Sequence, residues 1–455
     1  MNRREALRLL AATTLGGPLI PAASSSGWVS TRDAHAALTP SDDTFLDDMQ
    51  RSACLYFTEQ ASPTTGQVLD RARAAGTGQL DPRPMASIAA TGFGLSALCI
   101  ADQRNYFPRS QIIDQVRRTL RFHAETLPNV HGFFYHFNNI NTGARFGHCE
   151  LSPIDTSLLL CGVLTARAHF SADPEITRLA TLIYNRVDWP WMLNHGEAFA
   201  MGWSPEHGFQ PGRWSHYCEL MMLYLLALGS PTHPVPPATW DAFTRPTITY
   251  DNLTYISSSD PLFVHQYSHA WFDFRYKRDK YADYFANSIL ATRAHKAFCL
   301  DLGQPYSPDY WGISASDSAH GYTAWGGPSA TPHPIPPNAP RANPPLNPIA
   351  LARSFGGIDG SVVPYATAGS LPFLPADCLR VLRSLKNTYP HTYGRYGFCD
   401  AFHPSANWYD PDVLGIDLGI GLLMSENLRS GFIWDTFSRN PEVALAFRKA
   451  GFHSA

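Results

Sequence analysis

The 455-residue chain carries little charge and almost no imbalance of it: Asp, Glu, Lys and Arg make up 16%, and the formal net charge is -3. So neutral a chain has no electrostatic footprint for nucleic acid or an anionic membrane, and neither is expected as a partner. The eight cysteines stand far apart, at 54, 99, 149, 161, 218, 299, 378 and 399, with no CxxC pair. That spacing excludes a disulfide framework and a zinc ribbon, and most of these thiols are expected to be small buried apolar residues. Beyond the N-terminal region no apolar run is long enough for a membrane span, so no membrane insertion is expected. Sustained apolar/polar alternation and βαβ spacing are also missing. No GxSxG, P-loop or strand-preceded GxGxxG occurs, which leaves serine hydrolysis and nucleotide cofactors unsupported; no cofactor is expected.

What is present is apolar and aromatic. Hydrophobic residues reach 44%, enough for a large core, and aromatics 13%, including 11 Trp and 20 Tyr. Such rings stack on the C–H faces of sugars but also fill ordinary cores. The N-terminus reads Asn2-Arg3-Arg4-Glu5-Ala6-Leu7-Arg8, a twin-arginine pattern, followed by a modest apolar stretch broken at Gly16-Gly17-Pro18. Ala34-His35-Ala36 fits a small-x-small cleavage site, with Ala22-Ala23 an earlier alternative. Residues 1–36 are therefore expected to be a cleaved export signal, and the mature protein periplasmic or secreted.

From residue 41 the chain repeats a cap, an amphipathic helix and a Gly- or Pro-containing turn. Ser41-Asp42-Asp43 opens a helix with apolar positions Phe45, Met49, Ala53, Tyr56 and Phe57, and Ser110 opens another through Ile113, Val116 and Leu120. Asp173-Pro174 and Asn440-Pro441 are cap-then-proline starts. Further helices are predicted at 87–103, 152–169, 215–229, 279–298, 375–388 and 415–428. Roughly a dozen helices without strands predict an all-α fold, an (α/α)6 barrel: a toroid of six helical hairpins whose loops form a concave cleft at one end. Residues 41–455 are expected to form this one domain, with the proline-rich 328–348 stretch a surface loop.

Three acids stand out by their apolar or aromatic surroundings. Glu219 precedes the uncharged run Leu220–Gly229, Glu150 lies just ahead of a helix start, and Asp400 sits between aromatics in Tyr396-Gly-Phe-Cys-Asp-Ala-Phe402. Desolvation favours the neutral form of such a carboxyl, which is how a proton donor is held ready near neutral pH. Asp155 is a substrate-binding candidate, and it also fits a structural role as part of a capping box with Ser152 and Pro153. Cys149, Cys218 and Cys399 each precede one of the three acids, with His148 and His216 close by, but no metal-ligand spacing appears and no metal is expected. Polar–aromatic clusters supply the binding candidates: His265, Gln266, His269 and Arg275 in one, Trp311, Asp317, Tyr322 and Trp325 in a second, and Asp359 beside Gly360. The Trp311–Trp325 stretch combines indoles, hydroxyls, glycines and an acid outside any helix, as a sugar-binding loop requires. Phe272 and Phe274 also suit a core, and Asp273 with Arg275 a structural pair.

The blocks SIAATGFGLSALCIA, CELSPIDTSLLLCGVL, GWSPEHGFQPGRWSHYCELMMLYLLALGSPTHP, LFVHQYSHAWFDFR, YWGISASDSAHGYTAWGGP, IDGSVVPYATAGSLPF and YGFCDAFHPSANWYDPDVLGIDLGIGLLMSEN occur in this order. Together they resemble the glycoamylase-like family that includes bacterial endo-β-1,2-glucanases, from about residue 45 to the C-terminus. The resemblance implies an (α/α)6 barrel that hydrolyses β-1,2-glucan or its oligosaccharides with inversion. It implies Glu219 as general acid, Asp400 as base with Asp317 second, and Glu150 contacting sugar or tuning Glu219. The family's base is thought to act through a substrate hydroxyl, so the ~6.5–9.5 Å carboxyl separation of a simple inverting enzyme need not hold. Trp203, Trp214, Phe402 and Trp408 in these blocks join the sugar-binding candidates, with a β-glucan as the partner. Pro153, where the family pattern has a hydroxyl residue, and the cysteines before the acids depart from it and bear on substrate length or linkage. Exo action or another β-glucan linkage on the same fold, and a non-catalytic glucan-binding protein, are the alternatives; a polysaccharide lyase would need a basic site that these clusters lack. Oligomeric state is not legible.

Overall fold

Thr39 starts the first helix by a reciprocal cap: its Oγ1 accepts the Asp42 N–H at 3.1 Å, and the Asp42 carboxylate accepts the Thr39 N–H at 3.2 Å. The cap thus lies two residues ahead of the Ser41 read from sequence, because Pro40 fits the first helical position, where no N–H is needed. The computed structural model describes residues 38–258, 261–328, 342, 345–348 and 357–455. The predicted export signal and most of the proline-rich 328–348 stretch lie outside the described residues.

Helices alternate between an outer and an inner layer. α1 (Pro40–Glu59) leads to α2 (Ile88–Gln103), and α3 (Arg109–Glu125) to α4 (Pro153–His169). α5 (Pro174–Asn185) and the short α6 (Trp189–Leu193) lead to α7 (Met221–Gly229). α8 (Tyr284–Leu302) leads to α9 (Pro364–Ala368), and α10 (Pro375–Thr388) to α11 (Gly415–Arg429). α12 (Phe432–Ser438) and α13 (Pro441–Lys449) close the chain, α13 packing on α7 and α12 on α4. The fourth inner position is not an α-helix but two successive 3-10 turns, Leu262–His265 and Tyr267–Ala270.

Patterning explains the layers. α2 is buried at every residue from Ile88 to Asp102 and α7 along its whole length, whereas α3 buries only Ile112, Val116, Thr119, Leu120 and His123. Two inner helices touch backbone to backbone. A Cβ on Gly162 of α4 would fall 2.0 Å from the Gly92 carbonyl oxygen of α2, so both glycines are required where the helices cross.

Three further helix starts move from their predicted places, and the first of them, α3, begins at Arg109 after Pro108 with no side-chain cap rather than under Ser110. α7 begins at Met221 rather than at 215, because the segment ahead of it is tied to Thr244 in an isolated bridge: the Tyr217 N–H donates to the Thr244 carbonyl at 2.9 Å and the Thr244 N–H to the Ser215 carbonyl at 2.9 Å. Glu219 therefore sits on the turn before the helix. α8 begins at Tyr284 under an Asp283 cap rather than at 279, since the Asp279 carboxylate already accepts the N–H groups of Tyr281 and Ala282 and the Trp240 indole.

Alternation of the layers makes the inner helices run in one direction, with their N-terminal ends together. Short antiparallel pairs knit the loops at that end. Arg71–Arg73 pairs with Asp412–Leu414, Met85–Ser87 with Phe137–Asn139, and Phe402–His403 with Trp408–Tyr409. The eight cysteines are free thiols, six of them buried.

Candidate active site

A cleft of about 860 Å3 opens where the inner helices begin. Asp70 and Arg71 reach it from the loop before α2, His136 and Glu150 from before α4, Asp317 and Tyr322 from before α9, and Trp408 and Asp410 from before α11. The size suits an oligosaccharide segment. Helix N-termini carry partial positive charge, which favours the carboxylates gathered there.

On one wall lies a carboxylate cluster. Arg71 binds Asp317 at 2.6 Å and Asp70 at 3.4 Å. The Asp317 N–H donates to Asp400 Oδ2 at 2.7 Å, so Asp400 lies directly behind Asp317, 3% exposed. Burial, and then the charges of Asp417, Asp317 and Asp410, hold the Asp400 carboxyl well above the usual carboxylate range. Tyr267 donates to Asp417 Oδ1 at 3.2 Å behind it. Burial first, then Asp317, push Asp410 up to about 8. Carboxylate oxygens of Asp317, Asp400 and Asp410 lie within 4.8 Å of one another, a spacing that fits a cation, but Arg71 already brings a positive charge to the group.

The opposite wall holds a second acid pair with a histidine between. His136 Nδ1 stands 3.3 Å from Glu150 Oε1, and its Nε2 3.5 Å from Asp155 Oδ1. Its ring stacks on Phe137 at 3.8 Å between centroids. The predicted cap on α4 is present: Ser152 Oγ accepts the Asp155 N–H at 3.2 Å and donates to Asp155 Oδ2 at 2.5 Å. Asp155 thus braces the Ser152 cap and faces His136.

Glu219, 3% exposed, is not among the residues lining this cleft. Its carbonyl accepts from Ser268 Oγ at 2.7 Å, and Ser268 Oγ in turn accepts the Met222 N–H at 3.0 Å, which pins the turn to the fourth inner position. Burial and then the charge of Glu219 raise the Cys218 thiol well above its ordinary range, which makes it no nucleophile.

Of the predicted binding residues, Asp317, Tyr322 and Trp408 line the cleft beside Glu150. Others occupy the core instead, because sequence clusters do not reveal which way a turn faces. Gln266 donates to the Ala366 carbonyl and Ser370. Burial pulls both His265 and His269 down to about 3, keeping them neutral. Trp311 is fully buried, Trp325 donates to Ser316, and Phe402 stacks on Tyr409. Asp359 accepts the Ser361 N–H, and its carbonyl accepts from His403. Arg275 pairs with Asp273 and lies over the Trp434 ring, the structural pairing the sequence allowed. Trp214 is 6% exposed, and half-buried Trp203 packs on Trp191 next to Gly202, where a Cβ would stand 2.8 Å from Glu150 Cγ. Sequence reading passed over His136, Arg71, Asp410 and Asp417. Asp410 and Asp417 stand in the last family-like block, whereas nothing local marks His136 or Arg71.

Comparison with known proteins fits this arrangement. A sequence model of the family described as "Glycoamylase: Putative glucoamylase" matches residues 211–441, and the chain belongs to that family. An exo β-1,2-glucooligosaccharide sophorohydrolase (non-reducing end) of Parabacteroides distasonis is 25% identical over 90% of this chain. The chain spans 58% of the length of that curated relative. An endo-β-1,2-glucanase of Chitinophaga pinensis, solved with sophorotriose and glucose, superposes with a TM-score of 0.79 at 26% identity, covering 92% of this chain and 99% of that one. A β-1,2-glucanase of P. distasonis shares the fold at 23% identity and a TM-score of 0.78, over 91% of this chain and 60% of its own. The fold is therefore the (α/α)6 barrel of this family.

Proposed function

We propose that the chain is an exported glycoside hydrolase that cleaves β-1,2-glucan or β-1,2-glucooligosaccharides with inversion. The observation that carries this reading is the acid-lined cleft at the inner helix ends, in a chain alike over nearly its whole length to an endo-β-1,2-glucanase solved with sophorotriose. In this reading Glu219 donates a proton to the glycosidic oxygen as the C1–O bond breaks. Asp400 takes a proton from water, directly or through a sugar hydroxyl, as the water oxygen bonds to C1 from the opposite face. Glu150 accepts from sugar hydroxyls on the facing wall, and the Arg3-Arg4 leader directs export to the periplasm.

The test incubates purified protein and Glu219→Gln with β-1,2-glucan, sophoro-oligosaccharides and β-1,3-glucan, following products by chromatography and the newborn anomer by NMR. Wild-type protein inert on every glucan refutes the hydrolase reading, and a variant with full activity removes Glu219 from its role. Exo action is the second reading, favoured by the sophorohydrolase relative. Release of sophorose alone from the first minutes supports it, and a ladder of oligosaccharides supports endo cleavage.

A further inference from the structure

The histidine between the two acids of the α4 wall has no part in the chemistry above, yet its environment is built around it. His136 is 4% exposed and lines the cleft together with Glu150. Its backbone N–H donates to the Glu150 carbonyl at 2.9 Å, and its own carbonyl accepts the Ile88 N–H at 3.3 Å, at the first residue of α2. The ring cannot swing freely, because Phe137 stacks on it with planes 17° apart. Its two nitrogens face two different carboxylates, Glu150 at 3.3 Å and Asp155 at 3.5 Å. Asp155 is itself fixed by the Ser152 cap, so one side of the imidazole faces a carboxylate tied to the start of a buried helix and the other side faces Glu150.

We propose that His136 is a positioning residue that aims the Glu150 carboxylate into the cleft, with Asp155 as its anchor. The role rests on the glucan-hydrolase reading of the same cleft. Glu150 has several rotatable bonds, and a group that must meet a sugar hydroxyl in one geometry gains from a partner that is itself locked. Asp155, expected from sequence to contact substrate, instead acts through the imidazole.

The two contacts can be separated chemically. An Asn amide nitrogen overlays Nδ1 of histidine, and a Gln amide nitrogen overlays Nε2. His136→Asn keeps a donor toward Glu150, and His136→Gln keeps one toward Asp155 only. On β-1,2-glucan, H136N is expected to keep kcat within about tenfold of wild type, whereas H136Q loses roughly 30–100-fold with KM changed less than about threefold. The double variant H136Q/E150Q is expected to match E150Q within about a factor of two, because both changes remove one interaction. A loss of packing alone would affect H136N and H136Q alike and would multiply with E150Q. Equal activity of H136Q and wild type, equal loss in H136N and H136Q, or multiplying losses in the double variant overturn the role. Crystal structures of wild type and H136Q supply a readout independent of turnover: the Glu150 carboxylate is expected to rotate away from the His136 position, and an unmoved Glu150 overturns the proposal. Wild-type protein without glucanase activity refutes the functional reading instead, and the crystallographic comparison still decides whether His136 holds Glu150.

Discussion

Replacing Gly162 by alanine tests whether backbone contact between α2 and α4 sets the cleft geometry. In most helices this change is favourable, by up to ~1 kcal/mol, because glycine loses more conformational entropy on folding. Here the new Cβ would lie 2.0 Å from the Gly92 carbonyl oxygen, 2.6 Å from its carbon and 2.8 Å from its Cα. All three are backbone atoms, so no side chain can turn aside. Ordinary carbon–oxygen contact needs roughly 3.3 Å, so the helices must part by about 1.3 Å along their shared face. Overpacking of this kind costs about 1–3 kcal/mol, and parting two fully buried helices forfeits further dispersion contacts, for a net destabilisation of about 2–4 kcal/mol. Gly421→Ala in α11 is the matched comparison. Its Cβ would meet only the Ala368 Cβ at 3.0 Å, and a change within about 1 kcal/mol is expected. Urea unfolding followed by tryptophan fluorescence measures both. Because α4 carries Glu150 and Asp155 at its start, G162A is also expected to lower glucanase kcat/KM by at least ~10-fold in the folded fraction. A G162A protein as stable and as active as G421A would refute the claim that this crossing is fixed by backbone contact.

Two further outcomes follow from the carboxylate cluster. Folded Asp410 holds its proton up to about pH 8, whereas the unfolded chain releases it near pH 4, so this group costs stability progressively as pH rises through that window. Asp410→Asn lacks the slope, and its melting temperature relative to wild type is expected to rise by roughly 2–4 °C between pH 5 and pH 8.5; a constant difference would show that the folded Asp410 is not held neutral. Arg71→Met leaves Asp317, its side chain 12% exposed, beside Asp400 and Asp410 without the guanidinium at 2.6 Å. A loss of at least ~10-fold in kcat/KM is expected, with partial recovery in Arg71→Lys, and undiminished kinetics of R71M would remove the ion pair from the working site.

Helices that bury every face were the most legible part of the chain. The apolar runs after Ser87, Ser152 and Leu220 can only be core, and the Ser87 and Ser152 caps mark where the first two begin, whereas the third has no side-chain cap and begins six residues after its predicted start at 215. The fourth inner position was not legible as an element, since LFVHQYSHAWFDFR has polar residues at helical spacing that turn out to bond to neighbouring layers. His265, Gln266 and His269 look like ligands in one dimension for the same reason. Their polarity serves inter-element hydrogen bonds, and only the neighbours reveal that.

Apolar periodicity and capping act over a few residues, so the helical class, the order of the family blocks and the presence of buried acids at the starts of inner helices were readable along the chain. Tertiary structure alone decided which acids meet. Asp317 and Asp400 are 83 residues apart yet joined by a 2.7 Å hydrogen bond, and Arg71 and Asp317 are 246 apart yet paired at 2.6 Å. The closing of the helical ring brings those loops to one end, and the raised proton affinities of Asp400 and Asp410 follow from burial and mutual repulsion that exist only once the ring has closed.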